Sequence, residues 1–417
     1  MSGITAISDL KLRAGWGKMG NQMVVDPNNA FDLYRTVAAG SGYDIGGTST
    51  AIVPGFDSDR IGNLGTKWEA STTVNIGLDL SLWNNKVGLT VDAYNRRTDD
   101  LLVRGQIAAP AGEATRPFIN VGDMRNKGVD INLSTTGNIT SELTFDVNLN
   151  FSRYKNEVLR VGDNDDAFFT SYNARWQEDI SRTQKGHPLG SFYGYQIDGF
   201  FNDQAAMDVV EQDGERIGGW RFKDLNNDGV IDGDDRTFIG NPHPDFTSGL
   251  NITLRYKNLD FNTFLYASVG NDIFNYSKYF TDFNTFQANR SPRVLYDSWR
   301  PDHKDALLPQ LDISDNFSNS VTHDYYVEDG SFLRARTMQL GYTLPANWLS
   351  KVGIGTARIY LQAQNLFTIT GYKGVDPDLA FINQNGNVAE ADLNLGIDPG
   401  GYVPNPKQFL IGINFGF

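Results

Sequence analysis

Along much of the chain, apolar and polar residues alternate one for one. From 143 to 151, Leu143, Phe145, Val147, Leu149 and Phe151 fall on one side, and Thr144, Asp146, Asn148 and Asn150 on the other. Val74, Ile76, Leu78, Leu80 and Leu82 alternate with Asn75, Gly77, Asp79 and Ser81. Val87, Leu89, Val91 and Ala93 alternate with Gly88, Thr90 and Asp92, and Val129, Ile131 and Leu133 with Asp130, Asn132 and Ser134. The last residues repeat the pattern, with Phe409, Ile411, Ile413, Phe415 and Phe417 against Leu410, Gly412, Asn414 and Gly416. Successive side chains of a strand point to opposite faces, so period two over such lengths predicts strands with one apolar and one polar face. About ten are predicted, near 8–17, 71–83, 86–98, 124–136, 142–154, 246–256, 259–270, 331–344, 355–366 and 407–417.

Alternation by itself fits a soluble β-sandwich or propeller equally well. Three features favour a membrane barrel. Several alternating runs extend over about ten to thirteen residues, where soluble strands usually have about five or six and a tilted membrane strand needs roughly ten. The polar face is built from Asn, Asp, Thr, Gly and Arg, which suit a wet interior. The connections also alternate in length. Short ones follow Trp83, Thr136, Tyr256 and Leu344, and Asn84-Asn85 reads as the centre of a type I′ turn. Long ones cover roughly 18–68, 99–124, 155–245, 271–330 and 367–405. The fold class expected is therefore all-β, a transmembrane antiparallel barrel with short periplasmic turns and long extracellular loops. On this reading 155–245 is one large extracellular excursion. Within it, 190–201 reads as strand, either an arm of a tall hairpin or paired with a partner near 217–223.

Composition narrows the function. The 417 residues include no cysteine, which excludes a disulfide framework and thiolate zinc sites. The four histidines, His187, His243, His303 and His323, show no helical metal-ligand spacing. A net charge of −14 disfavours a nucleic-acid partner. No run of about eighteen apolar residues is present, which argues against a membrane helix but not against membrane strands. The start, Met1-Ser-Gly-Ile-Thr-Ala-Ile, lacks the basic region and long apolar core of a signal peptide, as expected of a trimmed chain or a fragment. Gly-x-Ser-x-Gly, Walker A, His-Glu-x-x-His and dinucleotide fingerprints are absent, and no carboxylate pair is singled out for glycoside cleavage, so no enzyme activity is expected.

Several segments resemble a known family. They are Leu10-Lys-Leu-Arg-Ala-Gly-Trp-Gly-Lys-Met-Gly-Asn-Gln22, Trp68-Glu-Ala-Ser-Thr-Thr-Val-Asn-Ile-Gly-Leu-Asp79 and Asp92-Ala-Tyr-Asn-Arg-Arg-Thr-Asp-Asp-Leu-Leu102. They continue in order with Asn120-Val-Gly-Asp-Met-Arg-Asn-Lys-Gly128, Gly186-His-Pro-Leu-Gly-Ser-Phe-Tyr-Gly-Tyr195 and Phe222–Asp235, and end in a terminal aromatic, Phe417. Together they resemble the SusC/RagA family of TonB-linked outer-membrane transporters. The resemblance implies a 22-stranded barrel with an internal plug in the outer membrane of a Bacteroidetes-type bacterium. It also implies a SusD-like surface lipoprotein as partner, the TonB complex as driver, and oligosaccharides or peptides as cargo. This chain then corresponds to the C-terminal part of the barrel, about ten strands, with the plug, the TonB-contacting region and the earlier strands lying outside it. A partial barrel leaves two open edges, so the isolated chain is expected to fold poorly.

One local motif carries metal chemistry. Asp224, Asn226, Asp228, Val230, Asp232 and Asp235 stand at the spacing of a calcium loop, D-x-[DN]-x-[DN]-G with an acid at the twelfth place. Calcium takes six to eight hard oxygens: side chains of Asp224, Asn226 and Asp228, the Val230 carbonyl, Asp232, and Asp235 where Glu is usual. The expectation is a weak structural calcium pinning an extracellular loop. The bland counterpart is an Asx-rich turn satisfied by its own backbone. Tyr172, Trp176, Trp220, Trp299, Tyr325 and Tyr326, on the long loops, are as much loop packing as ligand platforms. Asp163-Asn-Asp-Asp166 reads as a solvated loop and Arg96-Arg97 as barrel rim. The competing functions are a secreted calcium-containing carbohydrate-binding β-sandwich and a calcium-dependent glycoside hydrolase.

Overall fold

The structure, a computed structural model, describes residues 6–21, 25–36, 42–43, 47, 53–104, 114–162, 168–170, 179–283, 289–312, 321–349, 353–379, 395–400 and 404–416. Tyr172, Trp176, Asp163–Asp166 and Phe417 lie outside the described residues. Ten long strands form one antiparallel meander: β1 (Ile7–Asn21), β2 (Glu69–Leu82), β3 (Val87–Arg104), β4 (Phe118–Asn138), β5 (Leu143–Val161), β6 (Phe246–Tyr256), β7 (Leu259–Val269), β8 (Phe332–Thr343), β9 (Thr356–Gln364) and β10 (Gln408–Gly416). Each pairs with the next. A short strand, Thr368–Thr370, continues along β8 beyond the end of β9. The sheet does not close: β1 and β10 are its two edges among the described residues.

The expected count of ten holds, but β1, β3, β4 and β5 run well past their expected ends, always toward the long connections. There the outward positions turn from apolar to charged, so the alternation fades. The backbone ladder does not depend on side-chain polarity and continues.

Short turns behave as anticipated. Asn84 and Asn85 have φ of +57° and +64°, and the Lys86 N–H donates to the Trp83 carbonyl at 3.3 Å, the arrangement of a type I′ turn. Asparagine tolerates this left-handed region better than most residues.

Register stacks the apolar positions in rows across the sheet. Leu10, Leu80, Leu89, Leu133, Leu149, Leu250 and Leu265 are successive cross-strand partners over seven strands. A second row runs Phe145, Leu254, Phe261, Leu340, Leu361 and Ile411. Among the described residues nothing covers this face: Leu12 is 77% exposed, Ile76 63% and Ile411 77%. A soluble sandwich would bury such rows. No helix among the described residues is long and apolar enough to cross a membrane.

The buried core lies elsewhere. The connections β5–β6, β7–β8 and β9–β10 meet over one end of the sheet as a single cap. Ile180, Phe192, Trp220 and Phe222 from the first pack with Phe274, Tyr276, Phe283, Leu308 and Tyr326 from the second and Ile397 from the third. Backbone pairing joins them as well: Asp272–Asn275 pairs antiparallel with Val327–Asp329 and parallel with Ile397–Asp398. The stretch 190–201 is not one hairpin arm. Ser191–Gly194 sits between Ser181–Thr183 and Thr237–Gly240, while Ile197–Phe200 pairs with Trp220–Phe222, the partner expected near 217–223. The break falls where the chain passes close to the second connection. A Cβ on Gly194 would lie 2.2 Å from the Thr322 carbonyl oxygen, and Tyr195 donates its N–H to that carbonyl.

Candidate functional site

The face opposite the leucine row is polar, and its side chains bond to one another. The Arg13 guanidinium grips Asp79 through Nε at 2.8 Å and Nη2 at 3.0 Å, and Nη2 also reaches Asp92 at 2.9 Å. Thr90 donates to Asp79 and Asn75 to Asp92. This knot needs the glycine between its members: a Cβ at Gly77 would fall 2.5 Å from Asp92 Oδ1 and 2.7 Å from Arg13 Cζ. Arg358 crosses over Gly341 in the same way to pair with Asp260, and it also donates to Gln339 at 2.9 Å. Between the two knots run amides. Asn132 donates to Asn150 at 2.6 Å, Asn150 to Asn148 at 3.0 Å, and Asn262 to Asn251 at 2.9 Å and Thr253 at 2.8 Å. A wall of satisfied amides and ion pairs stays wet while giving a passing polar molecule many shallow contacts.

Among the described residues, hollows interrupt the wall at two levels. One, about 380 Å³, lies at mid-height among Asp92, Asp130, Asn132, Asn150, Phe264 and Tyr266. The other, about 330 Å³, lies where the wall meets the cap, between Glu69, Arg96, Thr98, Met124, Val158 and the cap residues Thr183 and Leu189.

The cap is fastened to this polar face. The Leu189 N–H donates to Asn156 at 2.8 Å, and the His243 ring lies between the Leu189 carbonyl (3.0 Å) and the Tyr154 hydroxyl (3.2 Å). Burial pushes the His243 imidazole below its ordinary pKa. On the other side Arg334, almost wholly buried, bonds to Asp376 and Asp378, and Arg336 shares Asp378 at 2.9 Å. Within the cap, Lys278 forms a 2.8 Å ion pair with Glu328, lies 4.3 Å from the centre of the Tyr325 ring, and donates to the Tyr325 carbonyl at 2.5 Å. The Tyr325 hydroxyl donates to Asp282 at 2.6 Å.

The calcium motif folds as a loop that satisfies itself. Asp224 accepts the N–H groups of Asn227 and Gly229, Asn226 that of Asp228, and Asp228 that of Val230. Asp232 accepts from Asp234, and Asp235, fully buried, accepts from Leu225 and Asp232. Gly229, at φ +85°, makes the turn glycine permits. The six motif residues thus share one loop, but among the described residues no three His, Cys, Asp or Glu side chains converge as a metal-holding group.

Of the loop aromatics, Trp220, Trp299 and Tyr326 are buried in the cap, where they pack rather than face a ligand. Arg96 lines the upper hollow, while Arg97 pairs outward with Asp99 and Asp123. Sequence reasoning passed over Arg13, Arg334, Lys278 and their acidic partners. For Arg13 a signal exists, since it shares the parity of the polar face; for the other two the partners lie on long connections, where no alternation marks a shared face.

Long antiparallel strands, an uncovered apolar face, a bonded polar face and connections gathered at one end define a section of an outer-membrane-type β-barrel. The chain belongs to the TonB dependent receptor-like, beta-barrel family, whose model matches residues 5–271. It is 33% identical over 416 residues to TonB-dependent receptor P3 of Formosa agariphila, covering 99% of this chain and 40% of that protein. It is 30% identical over 418 residues to the TonB-dependent receptor SusC of Bacteroides thetaiotaomicron, covering 99% and 38%. The solved RagAB peptide transporter shares the fold, with a TM-score of 0.77 at 24% identity over 99% of this chain and 41% of that one. The chain therefore spans about 40% of the length of the relatives it matches, its likeness is of the SusC/RagA type, and the family is one of the outer membrane.

Proposed function

We propose that this chain supplies part of the wall and the external cap of an importer of large nutrients in the outer membrane of a Bacteroidetes-type bacterium. The observation that carries this reading is the polar wall with a cap fused over one end of it. The wall offers many hydrogen-bonding groups to hydrophilic cargo, and the cap stands where cargo enters. Oligosaccharides or peptides are the cargo classes that suit such a surface. The relatives bear receptor and transporter names, and the reading assigns no catalysis to this chain. The excursion expected over 155–245, whose first residues instead continue β5 to Val161, is then the largest extracellular piece. A SusD-like lipoprotein is the expected partner over the cap, and the TonB complex acts through parts of the receptor outside this chain. The test is to express the full-length receptor natively, fractionate membranes and isolate what co-purifies. Recovery in the outer membrane with a surface lipoprotein, together with energy-dependent uptake of an oligosaccharide or peptide, supports the reading. A soluble product would return the argument to the glycan-binding sandwich.

We also propose calcium as a structural ion of the 224–235 loop. Its oxygens are of the hard type calcium takes. The ion would compete with backbone N–H groups for their lone pairs, so weak, millimolar binding is expected.

A further inference from the structure

The outward positions stay patterned beyond the apolar belt. Toward the cap, β4 reads Ile131, Val129, Lys127 and Arg125, and β5 reads Phe151, Arg153, Lys155 and Glu157. Register then sets like charges face to face: Lys127 is the direct partner of Lys155, and Arg97 of Arg125. Like charges directly opposite on adjacent strands destabilise a sheet.

Acids on this face are already engaged. Glu157 accepts from Arg125 at 2.7 Å, Asp99 from Arg97 at 2.6 Å, and Asp123 from Arg97 at 3.2 Å and Arg160 at 3.1 Å. Lys127, Arg153 and Lys155 are exposed, and they form no hydrogen bond or ion pair with any described residue. They point away from the polar wall and the cap on the membrane-facing side: Arg153 shares a row with Val129, one row above Ile131 and Phe151, and Lys127 and Lys155 form the next row. Successive rows on one face are roughly 7 Å apart. An anion that meets these cations must therefore lie at the edge of the hydrocarbon layer, which is where a lipid carries its headgroup.

We propose that Lys127, Arg153 and Lys155, with Arg97 and Arg125 behind them, form a docking surface for a phosphate-bearing lipid headgroup of the outer leaflet. The inference rests on the outer-membrane placement above. The apolar rows hold the acyl chains, and the cation rows hold the phosphates. The Lys127–Lys155 pair is then neutralised from outside the protein and brackets a headgroup oxygen cluster rather than repelling across the ladder.

The test uses the full-length receptor in nanodiscs of neutral phospholipid, doped with lipid A or with its dephosphorylated form. Bound lipid is counted by native mass spectrometry. The wild type should retain the phosphorylated form preferentially. Lys127→Gln/Arg153→Gln/Lys155→Gln should lose that preference by roughly a hundredfold, at about fivefold per cation. Lys127→Arg/Lys155→Arg should keep it, which separates loss of charge from misfolding. Equal retention by the triple variant, or of both lipids by the wild type, overturns the docking surface alone. Displacement of lipid A by millimolar inorganic phosphate would assign the cations to free phosphate and overturn it too. A receptor that never inserts would overturn the membrane placement first, and the lipid site with it.

Discussion

Lys278→Met is the perturbation that most directly probes the cap. The side chain is 6% exposed and its partner Glu328 12%. Methionine keeps the length and bulk of the lysine stem and removes the charge. Glu328 would keep only Asn275 at 3.1 Å and the Lys373 N–H at 2.8 Å. Removing one partner of a buried pair typically costs about 3 kcal/mol or more, because the other charge is left unpaired. The pH dependence has a definite sign. Burial pushes the Glu328 carboxyl up, but the charge and hydrogen bond of Lys278, with the Lys373 N–H and Asn275, outweigh it and hold the group below its ordinary value of 4.5. Its contribution is thus present above that value and lost as pH falls through the folded pKa. Burial pushes Lys278 down, against the pull of Glu328, so its titration too makes the fold more stable as pH rises toward 10.5. In the variant, burial is expected to raise the Glu328 pKa. The deficit should be greatest near pH 7 and shrink as pH approaches 4 and the acid becomes neutral. Hydrogen exchange of the 272–275 and 327–329 amides in the full-length receptor reads this locally, and about 3 kcal/mol corresponds to roughly 150-fold less protection. Lys278→Met/Glu328→Gln should recover most of the loss. Protection that is unchanged at pH 7, or reduced equally at both pH values, would refute the reasoning.

Other expectations follow from single contacts. Trp220→Ala removes a buried indole set edge-on against Phe283 and His323 and should cost the cap about 3–5 kcal/mol, seen as proteolysis within 179–245 and 270–331 while the barrel keeps its heat-modifiable mobility. Gly77→Val drives a side chain into the Arg13–Asp92 contact and should lower the yield of assembled barrel, whereas Ser71→Ala, which removes only the 2.7 Å hydroxyl contact with Thr98, should assemble normally. Asp376→Ala leaves Arg334 buried without its closest acid and should loosen 368–379 from β8 by about 3 kcal/mol, measured by exchange of the 368–370 amides. Millimolar calcium should raise the melting temperature of the wild type but not of Asp228→Ala; an equal response in both removes calcium from the loop.

The barrel strands were legible to the degree that lipid or a wet interior selects each side chain. β6 and β7 alternate to their ends, and their expected limits agree with the observed Phe246–Tyr256 and Leu259–Val269 within a residue. β3 continues to Arg104 through residues where neither solvent dictates a pattern, and its expected end at 98 fell short. The cap was invisible as a unit. Phe192, Trp220, Phe274 and Ile397 meet in one core from three connections, and no local period announces such a meeting. The 224–235 loop was legible as a motif because its donors and acceptors are neighbours in sequence. The Arg334–Asp376 pair, 42 residues apart, was not.

The shared core of the cap sets an order of events during biogenesis. Its pieces are anchored on strands from β5 through β10, so they cannot meet until those strands are registered side by side. Closing such distant contacts is slow. Until β5 through β8 are in register, Phe192, Trp220, Phe274 and Tyr326 have no common core to enter, and Ile397 joins it only with β9 and β10; the uncovered rim is a sticky intermediate of the kind chaperones shield. Maturation of the cap is then the late step of assembly. Substitutions in its core should delay acquisition of the mature surface without slowing entry of the strands into the membrane.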